Sequence, residues 1–143
     1  MFFSGALQYL VGRYNDTQES VIGSYVSGRD KTESQSLIGC FVNNIVLRQD
    51  WNESDSIQTF LQKIKATSLE ALANQTAPFP EVVKQMGWQG DGHPIYQVGL
   101  VMQPESVALE NWGETKLTAL ESESASAHMD LEGEVGPKGC SFE

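Results

Sequence analysis

Cysteine is scarce in this chain of 143 residues: Cys40 and Cys140 are the only two, a hundred positions apart. They are too few for a disulfide framework or a metal-binding knuckle, and a reducing cytoplasm is the compartment they predict. Histidine is equally rare. His93 and His128 have no H-x-x-x-H or H-x-x-E spacing that would set metal ligands on one helical face, so no metal site is expected. No apolar run approaches the roughly 20 residues that cross a bilayer. The opening Met-Phe-Phe-Ser-Gly-Ala-Leu has no basic leader, which argues against a secretory signal. Basic residues are few, 9 against 19 acids for a net charge of -10, so a nucleic-acid or anionic-membrane surface is excluded. Nucleophile-elbow, phosphate-loop and dinucleotide fingerprints are missing too. Gly87, Gly90 and Gly92 precede a strand pattern and not a helix, so they present no helix N-terminal amides to a phosphate.

What is present is globular: 40% hydrophobic and 20% charged residues, at a length that suits one ordinary domain. Phe3, Ala6, Leu7, Leu10, Val11 and Tyr14 recur at helical spacing and predict a first helix that Asn15 and Asp16 end. Val21 to Ser27 reads as a strand closed by the turn Gly28-Arg29-Asp30, and Phe41 to Leu47 as a second strand. Asn43 and Asn44 are poor strand formers and suggest a bulge or a side-chain role there. A helix follows, with Asp55 as its cap, Gln58 returning a bond, and Ile57, Phe60, Leu61, Ile64, Ala71 and Leu72 as its stripe. Lys63 and Lys65 fall off that stripe and should be solvated. After the Pro-bearing segment 74–80, a short helix is expected over Glu81 to Met86, then strands over Ile95 to Met102, 115–121 and Ala127 to Val135. Cys140 to Glu143 looks like a strand beginning, with no partner in view. The order predicts an α/β fold with a mixed β-sheet packed with helices. The uncapped first helix and the unfinished last strand suggest truncation at both ends.

Charge is uneven: residues 104–143 hold nine acids and two bases, which reads as a solvated outer face. No self-contained active site emerges from residue chemistry. Cys40, in an apolar stretch, is expected to be a buried thiol and a poor nucleophile. His93 reads as a loop residue making a hydrogen bond, and His128 as a solvated strand residue. Asp91 with His93 is a weak orienter and base pair, two residues apart in a glycine-rich loop.

Four collinear segments resemble the second half of a nonribosomal peptide synthetase condensation domain. Val21-Ile22-Gly23-Ser24-Tyr25-Val26-Ser27-Gly28-Arg29 is similar to V-x-G-x-x-V-x-G-R. Leu37-Ile38-Gly39-Cys40-Phe41-Val42-Asn43-Asn44 matches L-I-G-x-F-V-N-T, with Asn44 in place of Thr. Asn74-Gln75-Thr76-Ala77-Pro78-Phe79 resembles H-Q-x-x-P-F, Asn74 replacing His. His93-Pro94-Ile95-Tyr96-Gln97-Val98 resembles N-P-L-F-Q-V, with His93 for Asn and conservative changes at Ile95 and Tyr96. The Arg-Asp and Ser-Arg that usually precede that last motif are missing around Gly90 to Gly92.

The resemblance implies a chloramphenicol-acetyltransferase-like half-domain, with residues 1–143 as the C-terminal, acceptor-side lobe. Such domains form an amide bond when an acceptor amine attacks a donor thioester, both delivered on the phosphopantetheine arms of partner carrier proteins. No cofactor bound directly is implied, and no metal. The first lobe, with its His-His-x-x-x-Asp-Gly, is the implied partner, and no adjacent pair of histidines exists in this sequence. The fragment alone is therefore expected to be inactive, with no catalytic residue of its own, and to self-associate through surfaces the first lobe would cover. By the same resemblance Asn43, Asn44, Arg29, Gln75 and Phe79 are candidates for the tunnel wall. Gly23, Gly28, Gly39, Phe41, Pro78, Pro94 and Gln97 are structural motif positions. Two readings stay open at Arg29, which bridges carbonyls or carboxylates around its turn or meets the phosphopantetheine arm. Asn43 is likewise a tunnel-facing amide or a structural hydrogen bond to a neighbouring loop. Two other functions compete: a non-catalytic module that docks a carrier protein or linker, and a related two-lobed acyltransferase with another acceptor. Acidic carrier proteins would be repelled by the acidic last forty residues, which counts against the docking module.

Overall fold

A computed structural model describes residues 1–102, 111–113, 115–116, 129–136 and 139–142. The elements run α1 (Phe2–Tyr14), β1 (Glu19–Val26), α2 (Thr32–Gln35), β2 (Asn43–Asp50), α3 (Ile57–Ala73), α4 (Phe79–Gln85), β3 (Val98–Met102), β4 (Asn111–Trp112), β5 (Thr115–Lys116), β6 (Leu131–Gly136) and β7 (Gly139–Phe142). Five strands form one mixed sheet in the order β2-β1-β3-β6-β7, while β4 and β5 make a separate antiparallel pair. β1 runs antiparallel to β2 and parallel to β3; β3 is parallel to β6, and β6 antiparallel to β7. The mixed sheet expected from the sequence is thus observed.

Period-2 alternation divides the sheet into two faces. Ile22, Leu47, Leu100 and Val135 point to the side where α1 and α3 pack, and with Leu7 of α1 they make the core, backed by Val11, Ile45, Ala71, Val98 and Leu131. The opposite face carries Gly23, Tyr25, Asn44, Gly99 and Glu132, brought into neighbouring rows by the strand register. Tyr96 and Met129 lie over Gly23 and Gly99 on that side.

The helices depart from expectation in how they are turned. α1 buries Ser4, Gly5, Leu7, Gln8 and Gly12, leaving Phe3, Leu10 and Tyr14 of the predicted stripe exposed. The small residues win because neighbouring elements come close: Gly12 receives the Trp51 ring, and Gly5 sits against Ile64. Gln8 is 1% exposed and satisfied, donating to the Leu47 carbonyl at 2.9 Å and accepting from Ser4 Oγ. Tyr9, Trp51 and Phe60 pack with ring centroids 5.7 to 6.0 Å apart, joining α1 to α3.

The cap of α3 is Ser56, whose Oγ accepts from the Thr59 amide, and not Asp55. Asp55 instead accepts from the Asn52 amide and from Lys63 Nζ at 2.7 Å, so Lys63 is paired rather than free in solvent. Ile57, placed on the stripe by its spacing, is 80% exposed, and Leu72 is exposed as well. The Lys63 hydrogen bond, with the Asn52 amide behind it, holds the Asp55 carboxyl below the usual carboxylate range. A depressed folded-state pKa gives stability that is present above the unfolded value of about 4 and lost as pH falls through the lower folded value. Asp55→Asn is therefore expected to flatten part of the acid limb of stability, read as urea midpoints below about pH 5.

Other boundaries move. β2 starts at Asn43, so Phe41 lies outside it, and Asn43 and Asn44 pair regularly with Val26 and Tyr25 and form no bulge. The short helix begins at Phe79, with Pro80 in its first turn. β3 begins only at Val98. Of the expected strand over 115–121, Thr115–Lys116 is a strand and the rest lies outside the described residues, as does His128. The final strand does have a partner, because β7 pairs with β6 from Gly136↔Gly139 to Gly133↔Phe142. Cys40 is exposed, which corrects the expectation of a buried thiol: Gly39 and the segment after it keep the loop at the surface.

Candidate functional site

The four motif segments, spread over some eighty residues of sequence, fold into two adjoining clusters at one end of β1 and β2. The first centres on Arg29. Gly28 has φ +64, and a Cβ there would fall 2.0 Å from the Phe41 carbonyl oxygen, so only glycine fits. This turn sends Arg29 back over the loop between α2 and β2. Its guanidinium donates to the carbonyls of Ser34, Leu37 (2.8 Å) and Gly39 (2.8 Å), and lies 4.4 Å above the Phe41 ring. Its planar fork is thereby occupied by backbone acceptors.

Asn43 organises the second cluster. Its Nδ2 donates to the carbonyls of Gln75 (2.8 Å) and Ala77 (2.7 Å), and its Oδ1 accepts from the Phe79 amide (3.2 Å). One strand amide thus holds the turn between α3 and α4 through both of its ends. Gln75, Pro78 and Phe79 are set by this clamp, with Pro78 extended immediately before α4. The Phe79 ring stacks on His93 (5.9 Å, 22°) and meets Tyr96 (5.8 Å), while His93 and Tyr96 are 4.3 Å apart. Gln97 Nε2 donates to the His93 carbonyl at 2.9 Å, with Pro94 between them in sequence.

Alanine at Asn43 removes three hydrogen bonds and leaves two carbonyls and an amide to find water. A loss of about 2 kcal/mol is expected. Asn43→Asp should be the more damaging change, because it sets a carboxylate against the Gln75 and Ala77 carbonyls. Urea denaturation of both variants checks the order.

Tyr96 joins the clusters to the sheet. Its ring occupies the space that Gly23 leaves open, and the side chain is 1% exposed. Its hydroxyl has no hydrogen-bond partner among the described residues. Burial pushes its pKa up to about 12, with a further upward contribution from Tyr25 and a smaller one from Glu132; the nearby Asn44 amide acts the other way. Tyr25 is itself raised, by burial and then by Glu132. Three positions that depart from the resemblance, Asn44, His93 and Tyr96, therefore lie together. The hydrogen bonds of His93 go to backbone carbonyls and not to Asp91.

The sequence points to Asn43, Gln75 and Phe79, whereas His93 and Tyr96 join their cluster only in the fold. Placing Tyr96 in a regular strand hid this. Ile95, with φ +75, breaks the strand and turns the chain. The one available signal was a glycine, Gly23, in a strand that needed a large ring to fill its place. Among the described residues no group of three His, Cys, Asp or Glu side chains is placed to hold a metal ion, and no helix is long and apolar enough to cross a membrane.

A mixed sheet with helices packed on its core face, motif loops gathered at one end and the other face left to Tyr25, Asn44 and Tyr96 defines a chloramphenicol-acetyltransferase-like fold. The match to a family model is more specific: residues 1–135 fit the condensation domain, and the chain belongs to that family. It is 31% identical over 125 residues to a linear gramicidin synthase of Brevibacillus parabrevis, a stretch that covers 86% of this chain and 2% of that synthase. Tyrocidine synthase 3 from the same organism is 27% identical over 133 residues, covering 92% of this chain and 2% of its own length. In fold, the chain is similar to a four-domain nonribosomal peptide synthetase bound to AMP and glycine, at a TM-score of 0.80 and 20% identity over 98% of this chain and 12% of that one. The chain thus spans only a few per cent of the length of these two synthases.

Proposed function

We propose that residues 1–143 are the acceptor-side lobe of a condensation domain that forms amide bonds between carrier-bound donor and acceptor thioesters. The observation that carries this reading is the convergence of all four motif segments on one end of β1 and β2, in a chain of the condensation family. The phosphopantetheine arms of partner carrier proteins bring both substrates, and the thioester supplies the driving force. This lobe's share is positioning. Asn44, Gln75 and Phe79 face the acceptor, while Arg29 and Asn43 hold the loops that form the wall. The first lobe supplies the histidine motif and covers apolar surface such as Phe2, Phe3, Leu10 and Tyr14, the last of them 90% exposed.

Two measurements test it. Given loaded donor and acceptor carriers, the 143-residue chain is expected to yield no condensed product, and the same chain joined to a first lobe is expected to yield it. Product from the chain alone overturns the reading. The isolated chain is also expected to self-associate in light scattering, and a monomer at high concentration counts against the uncovered surface.

A further inference from the structure

His93 is the only imidazole among the described residues, and its surroundings decide its tautomer. Its Nδ1 lies 3.1 Å from the Pro94 carbonyl oxygen and 3.1 Å from that of Tyr96. Both neighbours accept and neither donates, so this nitrogen carries the hydrogen. In the neutral ring the lone pair then belongs to Nε2, which has no hydrogen-bond partner among the described residues.

The two carbonyls converge because residues 94 to 96 form a γ-turn. The Tyr96 amide donates to the Pro94 carbonyl at 3.0 Å, and Ile95 between them has φ +75. A β-branched residue is strained in that conformation, and such strain persists where its surroundings hold it. Here Tyr96, sealed over Gly23, is the anchor, and Phe79, its amide fixed by Asn43, packs against both rings, the three centroids lying 4.3 to 5.9 Å apart. The ring is therefore oriented by two aromatic neighbours and, at one edge, by two carbonyls, with its remaining nitrogen unengaged.

We propose that His93 Nε2 is a binding site for an amine, accepting a hydrogen bond from an N–H of the acceptor substrate. This rests on the reading of the chain as an acceptor-side lobe. A lone pair in the ring plane takes a donor, and the chain's net charge of -10 favours a cationic donor over an anion. A metal ion would need further ligands, and the described residues offer no group of three.

The test uses the full chain with ¹⁵N-labelled histidine, His128→Asn separating the two imidazoles. With the ring neutral, the His93 signals are expected to report a protonated Nδ1 and a bare Nε2; the opposite tautomer overturns the proposal. Two probes are then titrated: the amide of glycine with S-methylcysteamine, and its trimethylammonium analogue, which keeps the charge but has no ammonium N–H. The first is expected to shift Nε2 saturably, and the second to bind at least about tenfold more weakly. Equal binding of the two overturns the proposal. His93→Phe, which keeps the aromatic stack, is expected to lose the preference for the first probe, and an unchanged preference also overturns it. If that variant fails to fold, the tautomer and the probe pair still decide. Failure of the joined lobes to form amide product strikes the acceptor-lobe reading and leaves this result standing. Product formation without any Nε2 shift strikes the amine site alone.

Discussion

Valine at Gly23 is expected to destabilise the chain by about 3 to 5 kcal/mol, among the largest effects of any single substitution here. A Cβ at that position falls 2.0 Å from the Tyr96 ring, and no small adjustment of a flexible side-chain end relieves it. Tyr96 is confined by His93 and Phe79 on one side and by the sheet on the other, so the ring must leave its site and take the γ-turn with it. Alanine at Gly23 should already show most of the effect. A double-mutant cycle isolates the cause: in a Tyr96→Ala background, Gly23→Ala is expected to cost under about 1 kcal/mol. Equal costs in both backgrounds, measured by urea denaturation, would show that the close approach of the ring is not what requires glycine.

Arg29→Ala is expected to cost about 2 to 3 kcal/mol, since three carbonyls lose a charged donor and Phe41 loses the cation over its ring. Arg29→Lys should recover less than half of that. An ammonium reaches one or two of the carbonyls and cannot span all three as the planar guanidinium does. If lysine restores the wild-type midpoint, positive charge alone was sufficient and the fork geometry is irrelevant. The same pair of variants reports on function. In the joined lobes, a turn loosened by alanine should slow condensation through poorer positioning, with carrier loading unchanged.

Local patterns made much of the fold legible. The strand around Gly23, the turn at Gly28, the α3 helix and the helix beginning near Pro80 follow from period, glycine and proline placement, which act within a few residues. The faces of the helices were not legible. In α1 the apolar spacing of Phe3, Leu10 and Tyr14 suggested burial, yet closeness of approach by Trp51 and Ile64 selected the small residues Gly5 and Gly12. That selection depends on partners distant in sequence. Asp55 and Ser56 both have capping chemistry, and Lys63, two turns on, engages Asp55 while Ser56 caps the helix. At the site, an amide in a strand correctly signalled that Asn43 needs partners, but which carbonyls it meets is set by the α3–α4 turn. Ile95 was opaque for a simpler reason: nothing in an isoleucine after proline announces a positive φ.

The parallel pairing of β1 with β3 carries a kinetic meaning. Gly23 faces Gly99, and Ser24 Oγ donates to the Leu100 carbonyl 76 residues away, so the middle of the sheet is closed by contacts of long sequence separation. Loops of that size close slowly, and such topologies fold late in the course of collapse. As the chain emerges from a ribosome, β1 and β2 can meet early while the other edge of β1 waits for β3. During that interval Tyr96 has not arrived, Gly23 is uncovered, and an unpaired strand edge stands open to neighbouring chains. The glycine that admits the ring in the finished sheet thus also guards the unfinished one, where its low β-propensity makes the exposed edge a poorer template for wrong pairing.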